Sequence, residues 1–185
     1  MADTGAAYLD EARRAFRGYK RLGEGAMAQV SDAEFFALLD PEANSIALVV
    51  KHMAGNMHSR WTGFLTSDGE KPDRKRDTEF ELDSGADTRA SLMQRWEANW
   101  QLVFDAIAAL QPEDLVRHIT IRGQDHTVLQ AINRQMLHYA YHVGQIVLLA
   151  KHTRGAEWKS LSIPKGQSEM AGKQAEAEHR KRQEG

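Results

Sequence analysis

Gln135-Met-Leu-His138-Tyr-Ala-Tyr-His142-Val-Gly-Gln145 lies inside a longer helix-forming stretch that runs from about Val128 to His152. Val128, Leu129, Ile132, Met136, Leu137, Val143, Ile146, Val147, Leu148 and Leu149 make this stretch apolar nearly all round, and Thr127 can cap it. Such a pattern predicts the most buried helix of an all-α fold. Residues four apart on a helix share one face, so His138 and His142 can point at a single cation.

Working outward, three more helical stretches appear. Tyr8, Ala12, Ala15, Phe16, Tyr19, Leu22, Ala26 and Val30 recur at helical spacing over about residues 5–30, although Gly18, Gly23 and Gly25 weaken the second half. Ser31 with Glu34 is the signature of a cap opening a short turn through Leu39. After the Asp40-Pro41-Glu42 break, Asn44 or Ser45 can cap a helix to about Leu65, with Ile46, Val50, Met53, Met57 and Phe64 as its stripe. His52 falls at the edge of that stripe, in line with Asn56. A further helix, about Thr88 to Leu110, carries Leu92, Trp96, Trp100, Val103 and Ile107 and ends before Pro112. Trp61, Trp96 and Trp100 read as core residues.

The connections differ in kind. Residues 66–87 are polar, and their length is typical of working loops; the aromatic-flanked Glu79 and Glu81 at the far end predict that the segment packs against the body. Leu115 to Arg122 alternates in strand fashion and, with Gly123 to Val128, reads as a small hairpin or an extended loop. Beyond Pro164 large apolar residues almost vanish, which predicts a polar, solvated tail over residues 164–185, disordered or partly helical, after a domain spanning 1–163. Four long helices with a strand-like insert before the last indicate a four-helix bundle.

Bulk composition removes several classes of function. A net charge of −2 with scattered Lys and Arg carries no electrostatic footprint for nucleic acid. The absence of cysteine excludes disulfides, thiolate ligands and a cysteine nucleophile, and fits a cytoplasmic protein. The acidic start Met1-Ala-Asp-Thr-Gly does not read as a secretory signal, and no apolar run approaches the roughly 20 residues of a membrane span. No P-loop, dinucleotide fingerprint or His-Glu-x-x-His is present, and Gln135 and Tyr139 stand where a di-iron bundle would place Glu before each histidine.

Spacing alone leaves two readings of His138 and His142: a metal-binding pair, or hydrogen-bonded, inert histidines at the core edge. His52 is the best third ligand. His58 points about 120° away from it on the same helix, His118 and His126 belong to the hairpin, His152 sits in a last helical turn, and His179 is in the tail. Three imidazoles would leave a cation an open position, as catalytic sites do. Arg134, Tyr141, Gln145 and Asn56 are placed to orient the rings or bind a substrate anion, and equally to make ordinary surface contacts.

Three segments together resemble the DinB/YfiT-like superfamily, in particular an uncharacterised bacterial branch, over roughly residues 5–160. They are His52-Met-Ala-Gly-Asn-Met-His-Ser-Arg60-Trp61 within Ile46–Phe64, the Asp68-Gly-Glu-Lys-Pro…Arg76-Asp77-x-Glu79-Phe80 loop, and Asn133-Arg-Gln-Met-Leu-His138-Tyr-Ala-Tyr-His142-Val-Gly-Gln145-Ile. The resemblance implies an up-down-down-up four-helix bundle, a homodimer, and a divalent metal, nickel or zinc, on His52, His138 and His142. It also implies a choice of chemistry. The metal would activate either an exogenous low-molecular-weight thiol, as in S-transferases, or water, as in hydrolases; the alternative is a bundle that binds metal or a small ligand without turnover. A small-molecule substrate, no nucleic acid and no membrane complete the expectation.

Overall fold

The computed structural model describes residues 4–183; Met1–Asp3 and the last two residues of the expected tail lie outside them. The chain is mostly helical. Among the described residues it forms α1 (Thr4–Met27), α2 (Asp32–Phe36), α3 (Ile46–Trp61), α4 (Arg89–Ala108), a hairpin of β1 (His118–Ile121) and β2 (Gln124–Thr127), α5 (Val128–Arg154) and α6 (Ser168–Gln183). The hairpin is antiparallel, with Ile121 opposite Gln124. No helix of the described residues is long and apolar enough to cross a membrane.

Local chemistry sets the element starts. Ser31 and Glu34 form a reciprocal capping box on α2, as do Thr88 and Ser91 on α4 and Thr127 and Gln130 on α5. Ser45 caps α3 by accepting from the Leu48 amide at 3.2 Å. Each such cap stabilises its helix by about 0.5–2 kcal/mol. The glycines do not break α1, which continues to Met27 because packing replaces the lost propensity: Gly23 lets the Trp96 ring approach so closely that a Cβ there would sit 3.3 Å from it.

α3 lies along α4 and α1 along α5, and contacts of α1 with α4 and of α3 with α5 join the two pairs around one core. Phe16 is its centre, in ring contact with Trp61 at 5.7 Å, Trp100 at 6.2 Å and Tyr139 at 5.7 Å between centroids. Such pairs add about 0.5–1.5 kcal/mol each beyond burial. A polar line runs through this core: Trp61 Nε1 donates to the Tyr139 hydroxyl at 2.9 Å, which donates to Asn56 Oδ1 at 3.2 Å.

One expectation is corrected here. α3, not α5, is the most buried helix. Along α3 the residues on nearly every face are buried, whereas α5 exposes Leu137 (74%), Tyr141 (62%) and Leu148 (64%) along one side. Apolar composition all round did not decide burial; position between neighbours did. In the tail, Ser168–Gln183 forms the exposed helix α6. Its Ala-, Glu-, Lys- and Arg-rich sequence has high intrinsic helix propensity and carries i,i+4 pairs such as Lys173–Glu169 at 2.7 Å, so it needs no core.

Candidate metal centre

α3 and α5 meet beside the polar line, and the meeting point brings His52, His138 and His142 together. His138 Nε2 lies 3.1 Å from His142 Nε2 and 3.4 Å from His52 Nε2. The edge of a tetrahedron with metal–nitrogen bonds of about 2.0–2.1 Å is about 3.3 Å, so these spacings suit ligands of one ion.

Proton accounting points the same way. His52 Nδ1 is 2.8 Å from Glu79 Oε2, and His142 Nδ1 is 2.8 Å from Gln145 Oε1. Donation from Nδ1 to those oxygens leaves a lone pair on each Nε2. Both lone pairs face His138 Nε2, whose single proton could satisfy only one of them well. His138 Nδ1 is buried with no hydrogen-bond partner among the described residues. A cation at the centre of the three Nε2 atoms would satisfy all of them, so the residues present fit a divalent metal. Burial first, then the neighbouring His142 and His52 and the Arg60 and Arg74 guanidiniums, pushes the His138 pKa down to about 3. Burial likewise brings His142 to about 4, against the opposing hydrogen bond that it donates to Gln145 and with help from His52 and Arg76. Both rings are therefore neutral at pH 7, the form that binds metal.

Residues 66–87 do pack, as their aromatic-flanked acids predict, but through Glu79 and not Glu81. A 3-10 turn, Arg76–Phe80, carries Glu79 under α3, where it is 7% exposed, while Glu81 stays at the surface. Arg74 grips Glu79 at both oxygens, Nε to Oε1 and Nη2 to Oε2, each at 2.8 Å. Burial raises the Glu79 pKa, but the hydrogen bonds from His52 and Arg74 outweigh it and hold the carboxylate below its usual range. Gly55 makes room for this pair on α3: a Cβ there would stand 2.8 Å from Glu79 Cδ and closer still to Oε1. Phe80 stacks on the His52 ring at 4.7 Å and 28°. Arg60, buried on α3, reaches the Gly69 carbonyl and, at 2.8 Å, Glu70.

A cavity of about 410 Å³ opens in front of the three rings. All four sequence candidates line it. Gln145 orients His142 and also donates to the Tyr141 hydroxyl at 3.1 Å. Asn56 is held by Tyr139. Arg134 is exposed one turn before His138. The histidines excluded on sequence stay apart: His58 and His152 are exposed, and His118 pairs with Asp125 across the hairpin at 2.5 Å. Sequence reasoning missed the role of Glu79 as the partner of His52, and missed Gln135, buried in the cavity wall. Glu79 is 27 residues from its histidine in a stretch without periodicity, and its only signal was an acid flanked by aromatics.

No curated protein matches the chain. The family model described as "Protein of unknown function (DUF1572)" matches residues 3–167, which hold α1 to α5, the hairpin and all three converging histidines and stop just short of α6. The chain belongs to this family, DUF1572.

Proposed function

We propose that the protein is a divalent-metal-dependent enzyme of the DinB-like superfamily, an up-down-down-up four-helix bundle that acts on a small molecule. The observation that carries the reading is the convergence of three Nε2 atoms on one point, with two of the rings anchored from behind by Glu79 and Gln145. His52, His138 and His142 would hold the ion, with nickel or zinc the best match to three imidazoles and an open side. Bound there, the ion supplies Lewis acidity, which lowers the pKa of a thiol or a water reaching that side.

The protein's own groups do the rest. Glu79 and Gln145 keep the Nε2 lone pairs aimed inward. Arg74 holds Glu79 ionised, so the His52 ring keeps its tautomer. Phe80 covers one flank of His52 against water. The cavity arginines favour an anionic partner molecule. The chain has no cysteine, so in a thiol reaction the sulfur comes from a small molecule. The exposed apolar side of α5 is consistent with a homodimer.

The test is protein prepared without nickel resin, assayed for bound metal and then for turnover of electrophiles with low-molecular-weight thiols, alongside hydrolysis of simple esters. One equivalent of metal, and activity lost in His138→Ala, supports the reading. Absence of stoichiometric metal after incubation with zinc or nickel, or a His138→Ala variant as active as the parent, contradicts it.

A further inference from the structure

The geometry points to a small organic dianion as the ligand of the cavity, gripped at its mouth by Arg76, Arg122 and Arg134. This inference rests on the reading that the cavity is the working site, and it does not require the metal.

The cavity lining contains five guanidinium groups and no carboxylate. They divide into two sets. Arg60 and Arg74 have side chains only 5% exposed and are committed to Glu70 and Glu79 behind the wall. The outer three come from separate segments: the 3-10 turn, the hairpin and α5. Arg122 gives only its Nε to Glu70, at 3.0 Å, which leaves its two terminal nitrogens free of that carboxylate. Arg76 has an ion pair only with the exposed Asp77, at 3.9 Å. Arg134 has no hydrogen bond or ion pair among the described residues. Glu70, Glu79 and Asp68 thus face three arginines, while Arg76 has only the more distant Asp77 among the described residues and Arg134 has no acid beside it. A cleft with these two guanidiniums left over attracts anions and disfavours neutral or cationic ligands, and two negative charges match the two.

Two of the outer arginines are also held in position. The Arg76 guanidinium lies 5.2 Å over the Phe80 ring, which stacks on His52. Arg122 occupies the left-handed region at φ 55°, a strained place for a side chain of its kind, in a hairpin turn that asparagine or glycine would make readily. Asp68 pins that turn by accepting from the Arg122 and Gly123 amides, both at 2.8 Å. Arginine suits the cavity there rather than the turn.

An independent observation concerns unmet hydrogen bonds. Four buried side-chain polar atoms of the described residues have no partner, and three belong to the cavity wall: Arg60 Nε, Gln135 Oε1 and His138 Nδ1. Buried polar groups are almost always paired, and Arg60 Nε is a donor that an anion would satisfy, whereas Gln135 Oε1 is an acceptor that calls for a different partner. The volume, about 410 Å³, suits a small metabolite.

The experiment is isothermal titration of the full chain, stripped with chelator and held in dilute chloride buffer, with succinate, inorganic phosphate and acetate. Succinate or phosphate should bind more tightly than acetate, and the Arg76→Gln/Arg134→Gln double variant should bind the preferred dianion at least about tenfold more weakly. Preference for succinate assigns two carboxylates; preference for phosphate assigns a phosphate monoester. Arg122→Asn should keep or raise the thermal midpoint while weakening the same dianion, and unchanged affinity would overturn its part in the grip. The inference is overturned if stripped protein binds neither dianion better than acetate, or if the double variant binds as the parent does. Zinc titration of the same double variant should remain at one equivalent. Dianion binding without zinc binding would count against the metal reading alone.

Discussion

Gly55→Ala is a one-carbon change that touches none of the three histidines, and its sign is decided by the carboxylate behind them. In a free helix interior alanine is favoured over glycine by about 1 kcal/mol, so an unhindered substitution would stabilise α3. Here the added methyl would stand 2.8 Å from Glu79 Cδ and 3.2 Å from Cγ, well inside contact distance. The carboxylate is no free-swinging end, since Arg74 holds both of its oxygens and His52 holds one of them, each at 2.8 Å. Dislodging it breaks a buried ion pair, a change that costs about 3–5 kcal/mol, so the net effect is a loss of about 2–4 kcal/mol. For a domain of this size each kcal/mol moves the thermal midpoint by roughly 2–4 °C, which predicts a fall of about 5–15 °C. The freed His52 ring should also cost roughly 10–100-fold in zinc affinity. Thermal unfolding of the stripped protein and competitive zinc titration measure the two effects separately. Gly18→Ala, which meets nothing within 4 Å, is the control and should stabilise. A Gly55→Ala variant that melts higher and binds zinc as tightly as the parent would refute the argument that Glu79 is pinned and that its pinning matters.

The other predictions are smaller in scope. Stripped protein should lose stability as pH falls. The folded pKa values of His138 and His142, about 3 and about 4, lie below the unfolded value near 6.5, so between those limits the unfolded chain binds more protons. Their contribution is intact above about pH 6.5 and declines toward pH 4; a melting series should show this, and the slope should flatten in His138→Asn. Gln145→Leu removes the acceptor of His142 Nδ1 and should weaken zinc binding by about tenfold with little change in melting, as the residue is only partly buried. Phe16→Ala empties the centre of the aromatic cluster and should cost about 3–5 kcal/mol by denaturant titration. Asp68→Asn should raise amide exchange at Arg122 and Gly123, whose N–H groups it accepts, without disturbing the helices; protection at those two amides equal to the parent's would count against the pin.

Much of the helical layout was legible because its signals are local. Ser31 with Glu34 and Thr127 with Gln130 mark starts that depend on three residues' spacing, and alternation before Gly123 marked a hairpin or an extended loop. The convergence of His52 on His138 and His142 was readable as an expectation from helical periodicity together with family resemblance. What was not legible depends on contacts far apart in the chain. Nothing in the sequence near Glu79 says that it reaches under α3 to Gly55, or that Arg74 rather than Arg76 takes it. The apolar residues of α5 could not say which side faces the other helices, so Leu137 and Leu148 were wrongly expected inside. Lack of a core predicts disorder only when propensity is also low, and the run from Ser168 to Gln183 has high propensity.

X-ray absorption spectroscopy of the protein loaded with one equivalent of zinc tests the central claim most directly. Convergence of His52, His138 and His142 predicts a tight stoichiometric site with three imidazole nitrogens at about 2.0–2.1 Å, falling to two in His138→Ala. A zinc edge showing only oxygen neighbours, or the same nitrogen count in parent and variant, would contradict it.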